Sequence, residues 1–183
     1  RQVSDYASTA SFIHEVSNGR FRFGIGVSHA PALEARGLSA GKPLTDTRNF
    51  VKELRNVPRT GELPPIVLAT LRKKMISLSE EIAEGMVFAN GARSHMHESL
   101  KAVSDEVRSS DDFFIGDMIP TCISDDIEAA KAVNRKTLSS YAMLPNYRNY
   151  WKEAGYEDEM ADVEKVMANG NDPEEIGKCL LEI

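Results

Sequence analysis

The chain has 183 residues, 42% of them hydrophobic and 27% charged, which is typical of a soluble globular domain. No apolar run approaches the roughly 20 residues that a membrane-spanning helix needs, so we expect no membrane partner. A net charge of −6 argues against a nucleic-acid partner, which would require a basic face. Cys122 and Cys179 fit no metal or redox spacing and predict buried free thiols in the cytoplasm.

The first half of the chain shows alternating helical and strand periodicity. It predicts a helix over 4–16, a strand over 20–27 and a polar loop containing Pro31 over 28–44. A second helix over 45–57 and a short buried strand over 66–69 follow. The run Ser17-Asn18-Gly19 is a C-cap signal for the first helix.

The second half repeats this alternation and then becomes wholly helical. It predicts a helix over 73–84, a strand over 86–89, a helix over 94–107, a strand within 113–123 and a helix over 127–142. Three further helices are predicted over 146–154, over 159–168 and from 173 onward. Four strands alternating with helices indicate βα units, a parallel sheet and an α/β fold. The pattern fits a doubly wound sheet and a (β/α) barrel equally well.

The strand over 20–27 has bulky residues on one face and small residues at the end of the other. Gly24 and Gly26 resemble the start of a dinucleotide-binding motif, but His29 stands where its third glycine would be, so that motif fails. One interpretation is a strand kept small for packing. The other is a small-residue floor beneath a flat ring, with Ser28 and His29 as hydrogen-bond donors at its edge.

A basic segment lies between the strand over 66–69 and the helix that follows it. Thr70, Leu71 and Arg72 lead into Lys73 and Lys74 at the start of that helix. Free N–H groups, a hydroxyl and cations at a helix N-terminus favour a phosphate. The alternative is a solvated basic turn.

Other polar residues do not form a catalytic arrangement. His95 and His97 lie two residues apart near the start of a helix, so their side chains point to different sides and cannot share a metal ion. We therefore predict no metal site. Asp125 and Asp126 are interpreted as helix caps, and the aromatic residues over 141–151 as core. No nucleophile stands out, so the catalytic residues are unknown and any chemistry belongs to a bound cofactor.

Several segments resemble, in the same order, those of the bacterial-luciferase-like family of flavin- and deazaflavin-dependent oxidoreductases. The similarity covers nearly the whole chain, and the Val27-Ser28-His29 variant favours the deazaflavin-using branch. The segments that carry the resemblance are Ser17–Phe21, Gly24–His29, Lys42–Leu44, Pro64–Leu71 with Met75, Glu84-Gly85, Ile119–Asp126 and Leu144–Arg148.

The resemblance implies a (β/α)₈ TIM barrel, of which residues 1–183 would form a partial domain. It also implies a deazaflavin coenzyme, or FMN as the alternative, at the carboxyl end of the strands, a small-molecule substrate, and a homodimer in the cytoplasm. The implied cofactor-binding residues are Gly26, Val27, Ser28 and His29 after the fourth strand of the barrel, and Thr70, Leu71 and Arg72 after the fifth.

The chain also departs from the family pattern. The family's first three strands and its eighth have no counterpart, and Arg72-Lys73 replaces the usual Gly-Pro. Such a chain cannot close a barrel. We expect it to be part of a longer protein; the alternative is that another chain supplies the rest.

The resemblance predicts an oxidoreductase that transfers a hydride between a reduced deazaflavin, or FMN, and a small organic substrate. Two alternatives remain. One is a non-catalytic barrel fragment that binds flavin or a partner chain without turnover. The other is an unrelated doubly wound phosphate-binding module.

Overall fold

A computed structural model describes residues 2–39 and 41–180, so the predicted domain limits at 1 and 183 lie outside the described residues. The fold is an α/β arrangement of one sheet and surrounding helices. In chain order the elements are α1 Val3–Val16, β1 Phe23–Ile25, α2 Ala30–Glu34, α3 Pro43–Arg55, β2 Ile66–Thr70, α4 Lys73–Ile82, β3 Gly85–Ala89, a 3₁₀ turn Arg93–His95, α5 Met96–Leu100, α6 Asp105–Arg108, β4 Phe114–Met118, α7 Ile127–Ala142, α8 Pro145–Glu153, α9 Glu157–Ala168 and α10 Pro173–Lys178.

The four strands form one sheet in the order β1-β2-β3-β4. β1 and β2 are parallel, with Phe23 opposite Ile66, and β2 and β3 are parallel as well. The start of β4 meets the start of β3, because the N–H of Phe114 donates to the carbonyl of Glu84 at 3.0 Å. At the other end of these two strands, the N–H of Asn90 donates to the carbonyl of Met118 at 3.2 Å, so β4 is parallel to β3. The predicted parallel sheet of βα units is confirmed.

The chain divides into two compact units. The first comprises residues 1–89 and 99–117, and therefore contains β1, β2, β3 and most of β4. The second comprises residues 90–98 and 118–183, and its described residues, which end at 180, are mostly helical. That residues 1–183 form a single partial barrel domain stays a prediction.

The core of the first unit lies between the sheet and the helices α1 and α3. Ile66 and Leu68 of β2 are almost fully buried, and Phe23 and Ile25 of β1 pack beside them. The helices α1 and α3 contribute the buried residues Ala7, Val51 and Leu54, and α4 contributes Leu78. Because side chains alternate along a strand, this packing directs Gly24, Gly26 and Ala69 to the opposite face of the sheet.

The second unit is built around aromatic side chains. Tyr147, Tyr150 and Trp151 of α8 are buried, which confirms the interpretation of this region as core. The Tyr150 hydroxyl accepts a hydrogen bond of 3.0 Å from the backbone N–H of Ala92. The phenol is therefore both a packing residue and the partner of a buried backbone donor.

Two local expectations are wrong. A helix was not expected after His29, yet α2 begins at Ala30, because Pro31 falls in its first turn, where a missing N–H costs nothing. The expected single helix over 94–107 is interrupted after Leu100. Ser104 begins a new helix there, since its hydroxyl accepts from the N–H of Val107.

The predicted cap at Asp126 is confirmed, whereas the predicted burial of the two cysteines is wrong. Asp126 caps α7 as predicted, because its carboxylate accepts a 3.0 Å hydrogen bond from the N–H of Ala129. Cys122 and Cys179 are free, but both are partly exposed rather than buried.

Glu84 links the start of β2 to α3. One carboxylate oxygen accepts from the N–H of Ile66 at 2.8 Å, and the other pairs with Arg55 at 2.6 Å. We expect Glu84→Ala to lower the free energy of unfolding by about 1–3 kcal/mol, because it leaves the Ile66 N–H without this acceptor. Urea denaturation measures the change.

Two controls separate this hydrogen bond from general charge effects. Glu84→Gln retains an acceptor oxygen and should destabilise less than Glu84→Ala. Glu81→Ala removes an exposed ion pair with Arg48, and should leave the unfolding midpoint close to that of the unmodified protein. Equal midpoints for Glu84→Ala and Glu81→Ala would contradict the role assigned to Glu84.

Candidate functional site

The two predicted binding segments lie at the same edge of the sheet. Residues 26–29 follow β1, and residues 70–72 include the last residue of β2 and the two after it. β1 and β2 are adjacent and parallel, with Ile25 opposite Leu68. Carboxyl ends of neighbouring parallel strands form the usual ligand-binding edge of an α/β protein.

A floor of small residues covers the face of β1 and β2 that points away from α1 and α3. A Cβ added to Gly24 would meet no atom within 4 Å, so the space above it is open. A Cβ added to Gly26 would lie 3.0 Å from the Cβ of Ala69, so a side chain there would be tight and would require Ala69 to shift. Ala69 itself is exposed between buried neighbours. This floor can accept a flat ring against backbone atoms.

The N-terminus of α4 lies beside this floor. Arg72 is the N-cap residue, Lys73 and Lys74 open the helix, and the first turn contains no acidic residue. The first N–H groups of a helix have no partner within the helix, and its dipole favours negative charge there. The segment therefore has the electrostatics of a phosphate site.

The side chains of Thr70 and Leu71 are turned into the fold. Thr70 is 2% exposed, and its hydroxyl donates to the carbonyl of Val87 at 3.4 Å. Leu71 is also buried. Any contact from these two residues to a ligand would come from their backbone, whereas Arg72 is partly exposed.

A cavity of about 430 Å³ lies next to the end of β1. Gly26, Val27 and Ser28 line it, but His29 and the segment 70–72 do not. His29 is instead the N-cap residue of α2. The structure thus brings three of the seven predicted residues to this cavity and three, Thr70, Leu71 and Arg72, to the end of the adjoining strand, whereas His29 begins α2.

Asn90 is a residue that sequence reasoning passed over. It follows β3 directly, has a left-handed backbone with φ 57°, and is 6% exposed. Neither Nδ2 nor Oδ1 of its side chain has a hydrogen-bond partner among the described residues. A buried amide in this state is uncommon and costs about 1–3 kcal/mol. The Asn-Gly pair in the sequence indicated only a turn.

The contacts of the two histidines and of Tyr147 indicate packing and give none of these side chains a catalytic role. His95 packs edge-on against Tyr150 with ring centroids 5.7 Å apart, and His97 is exposed. Within residues 2–39 and 41–180, no group of three or more His, Cys, Asp or Glu side chains could hold a metal ion. Burial, followed by the nearby Tyr141, raises the pKa of Tyr147 to about 12, which keeps that phenol protonated at neutral pH.

No helix in the described part of the chain has the length and apolar character needed to cross a membrane. A search of curated proteins found no match. Among solved structures, the fold is similar to that of the coenzyme F420 dependent tetrahydromethanopterin reductase from Methanopyrus kandleri, with a TM-score of 0.69 at 12% sequence identity. The match covers 98% of this chain and 63% of the reductase chain, so this chain spans less than two thirds of that protein.

The sequence also matches a family model. The model for luciferase-like monooxygenases aligns with residues 1–178, nearly the full length. Together with the shared α/β fold, this match confirms the resemblance deduced from the ordered sequence segments. The chain therefore belongs to the luciferase-like monooxygenase family.

Proposed function

We propose that this chain carries the cofactor-binding strand ends of an oxidoreductase that transfers a hydride between a reduced deazaflavin and a small organic substrate. FMN is the alternative cofactor. The observation that carries the proposal is the adjacency of a small-residue floor, at Gly24, Gly26 and Ala69, to the basic N-terminus of α4. A planar ring with a phosphate-bearing tail requires both features, and requires them side by side.

The residues present fit such a cofactor. The floor leaves backbone atoms open to a ring, because Gly24 and Gly26 have no side chain and Ala69 has only a methyl group. Arg72 and the first N–H groups of α4 would hold a phosphate. When bound, the cofactor supplies hydride transfer, and this chain contributes orientation of the ring and charge neutralisation of the tail.

Ser28 is exposed in the loop after β1 and has a hydroxyl that can donate to a polar ring edge or to the tail.

None of the described residues at the two strand ends forms an acid–base pair. That observation favours the second candidate function, a flavin-binding barrel part without turnover of its own.

Direct titration tests the proposal. We expect the fluorescence of FMN or of the deazaflavin coenzyme to change saturably when purified protein is added, because the ring leaves water for the floor. The tighter ligand identifies the cofactor. Absence of saturable binding by both ligands would refute the cofactor role of these strand ends. Binding without oxidation of the reduced cofactor in the presence of substrates would favour the non-catalytic function.

The double variant Ser28→Ala with Arg72→Ala tests the polar contacts. We expect at least tenfold weaker cofactor binding, about 1.4 kcal/mol, because a donor and a phosphate-neutralising cation are removed together. The matched control is Ser8→Ala with Arg59→Ala, since both residues are exposed and Arg59 precedes β2 at the opposite end of that strand. Unchanged affinity in the first double variant would move the phosphate contact elsewhere.

Ala69→Leu tests the floor. Ala69 is exposed, so the larger side chain should be tolerated by the fold while it occupies the space above Gly26. We expect at least tenfold weaker binding of the complete cofactor and a thermal unfolding midpoint within a few degrees of the unmodified protein. Ser8→Leu, an exposed change on α1, is the control for added surface hydrophobicity. A ring that binds Ala69→Leu normally does not lie on this floor.

A further inference from the structure

Asn90 is strained in two ways in the turn that follows β3. Its backbone has φ 57°, in the left-handed region that side chains rarely adopt, although asparagine tolerates this region better than most residues. Its side chain is buried, and within the described part of the chain no group accepts from Nδ2 or donates to Oδ1. Both features raise the free energy of this conformation, and no contact of the amide offsets them.

Backbone hydrogen bonds hold the turn on both sides of this amide. The N–H of Asn90 donates to the carbonyl of Met118 at 3.2 Å, and the N–H of Ala92 donates to the Tyr150 hydroxyl at 3.0 Å. Tyr150 is itself buried, so the second of these anchors is shielded from water. The path of the backbone is therefore fixed, and the side chain of Asn90 is the group that is able to change position.

Two other asparagines show that a left-handed backbone does not require a buried amide. Asn18 follows α1 with φ 51°, and Asn171 precedes α10 with φ 59°. The side chains of both are exposed, where water can pair with their amides. Burial of the Asn90 amide is thus a separate feature of its turn, and Asn171 provides a matched reference for experiments.

Packing and hydrogen bonding favour different positions of the Asn90 amide. Turned outward, Nδ2 and Oδ1 regain hydrogen bonds to water, whereas the side chain loses its packing. Since these two contributions oppose each other, the free energies of the two positions differ by less than the larger contribution. The surface is near, because the next residue, Gly91, is partly exposed and has no side chain to obstruct the rotation.

We propose that Asn90 is a two-position switch at the carboxyl end of β3. Its amide alternates between the buried position and an outward position in which both polar atoms are hydrogen-bonded, while the backbone anchors at Met118 and Tyr150 stay in place. The outward amide presents one acceptor oxygen and two N–H donors beyond the strand end. It is then available to a ligand group that both donates and accepts, such as an amide or a carboxylic acid, whereas the buried amide is not.

Exchange of side-chain amide protons with water tests the proposal in the unmodified protein. A minor outward state populated at about 0.1–10% should let the Nδ2 protons of Asn90 exchange at about a thousandth to a tenth of the rate of those of Asn171. The backbone N–H groups of Asn90 and Ala92 should be protected at least tenfold more strongly, because their acceptors stay in place. NMR measures all of these rates in one sample.

A matched pair of variants gives a second readout. Asn90→Asp keeps the shape of the side chain but makes its burial unfavourable, so the carboxylate should turn outward. The thermal unfolding midpoint should then stay within about 4 °C of that of Asn171→Asp, which places the same charge at an exposed position with the same backbone. A larger loss, or failure of Asn90→Asp to fold, would show that the side chain cannot leave its buried position and would overturn the proposal.

The exchange rates decide the case independently of any variant. Side-chain exchange of Asn90 below a thousandth of the Asn171 rate would mean that the amide stays buried, and exchange equal to that rate would mean that it is never buried. Backbone exchange as fast as that of the side chain would mean that the whole turn opens. Each of these results would overturn the switch. No cofactor takes part in these measurements, so their outcome is independent of the proposed function.

Discussion

The parallel register between β1 and β2 is the constraint on which the candidate site depends. With Phe23 opposite Ile66 and Ile25 opposite Leu68, bulky side chains of both strands share the face that packs on α1 and α3. The same register sends Gly24, Gly26 and Ala69 to the other face. A shift by one residue would bury the glycines and expose the phenylalanine and isoleucine side chains. The hydrophobic core and the small-residue floor are thus two consequences of one pairing.

The end of each strand is also the point where a binding segment begins. β2 ends at Thr70, whose buried hydroxyl is bonded to the backbone of β3, and α4 starts three residues later. The turn is so short that the basic N-terminus of α4 must lie at the sheet edge. Burial of Thr70 and Leu71 fixes the position of Arg72. The buried side chains of Thr70 and Leu71 therefore hold this turn in place, whereas the side chain of Arg72 is the one available to a ligand.

Sequence reasoning was most reliable where local chemistry decides structure. The helix α1, its Ser17-Asn18-Gly19 C-cap and the cap of α7 at Asp126 were found at the expected places. It failed where two local signals compete, as between Ser94 and Ser104, each of which can begin a helix. The isolated amide of Asn90 and the cavity beside β1 could not be predicted, because both depend on which distant segments surround them.

The cavity and the floor have different chemistry although Gly24 and Gly26 belong to both. The cavity is lined by residues 23–28 and by residues of the neighbouring helices, among them the edge-on rings of Tyr6 and Phe50. The floor lies above the plane of the sheet and ends at a cationic helix N-terminus. The floor beside a cationic helix N-terminus suits the proposed phosphate-bearing ring, whereas the residues that line the cavity include Asp46 and no Lys or Arg. Volume alone would favour the cavity as the cofactor site, whereas the small residues of the floor and the basic N-terminus of α4 support the floor as the proposed site.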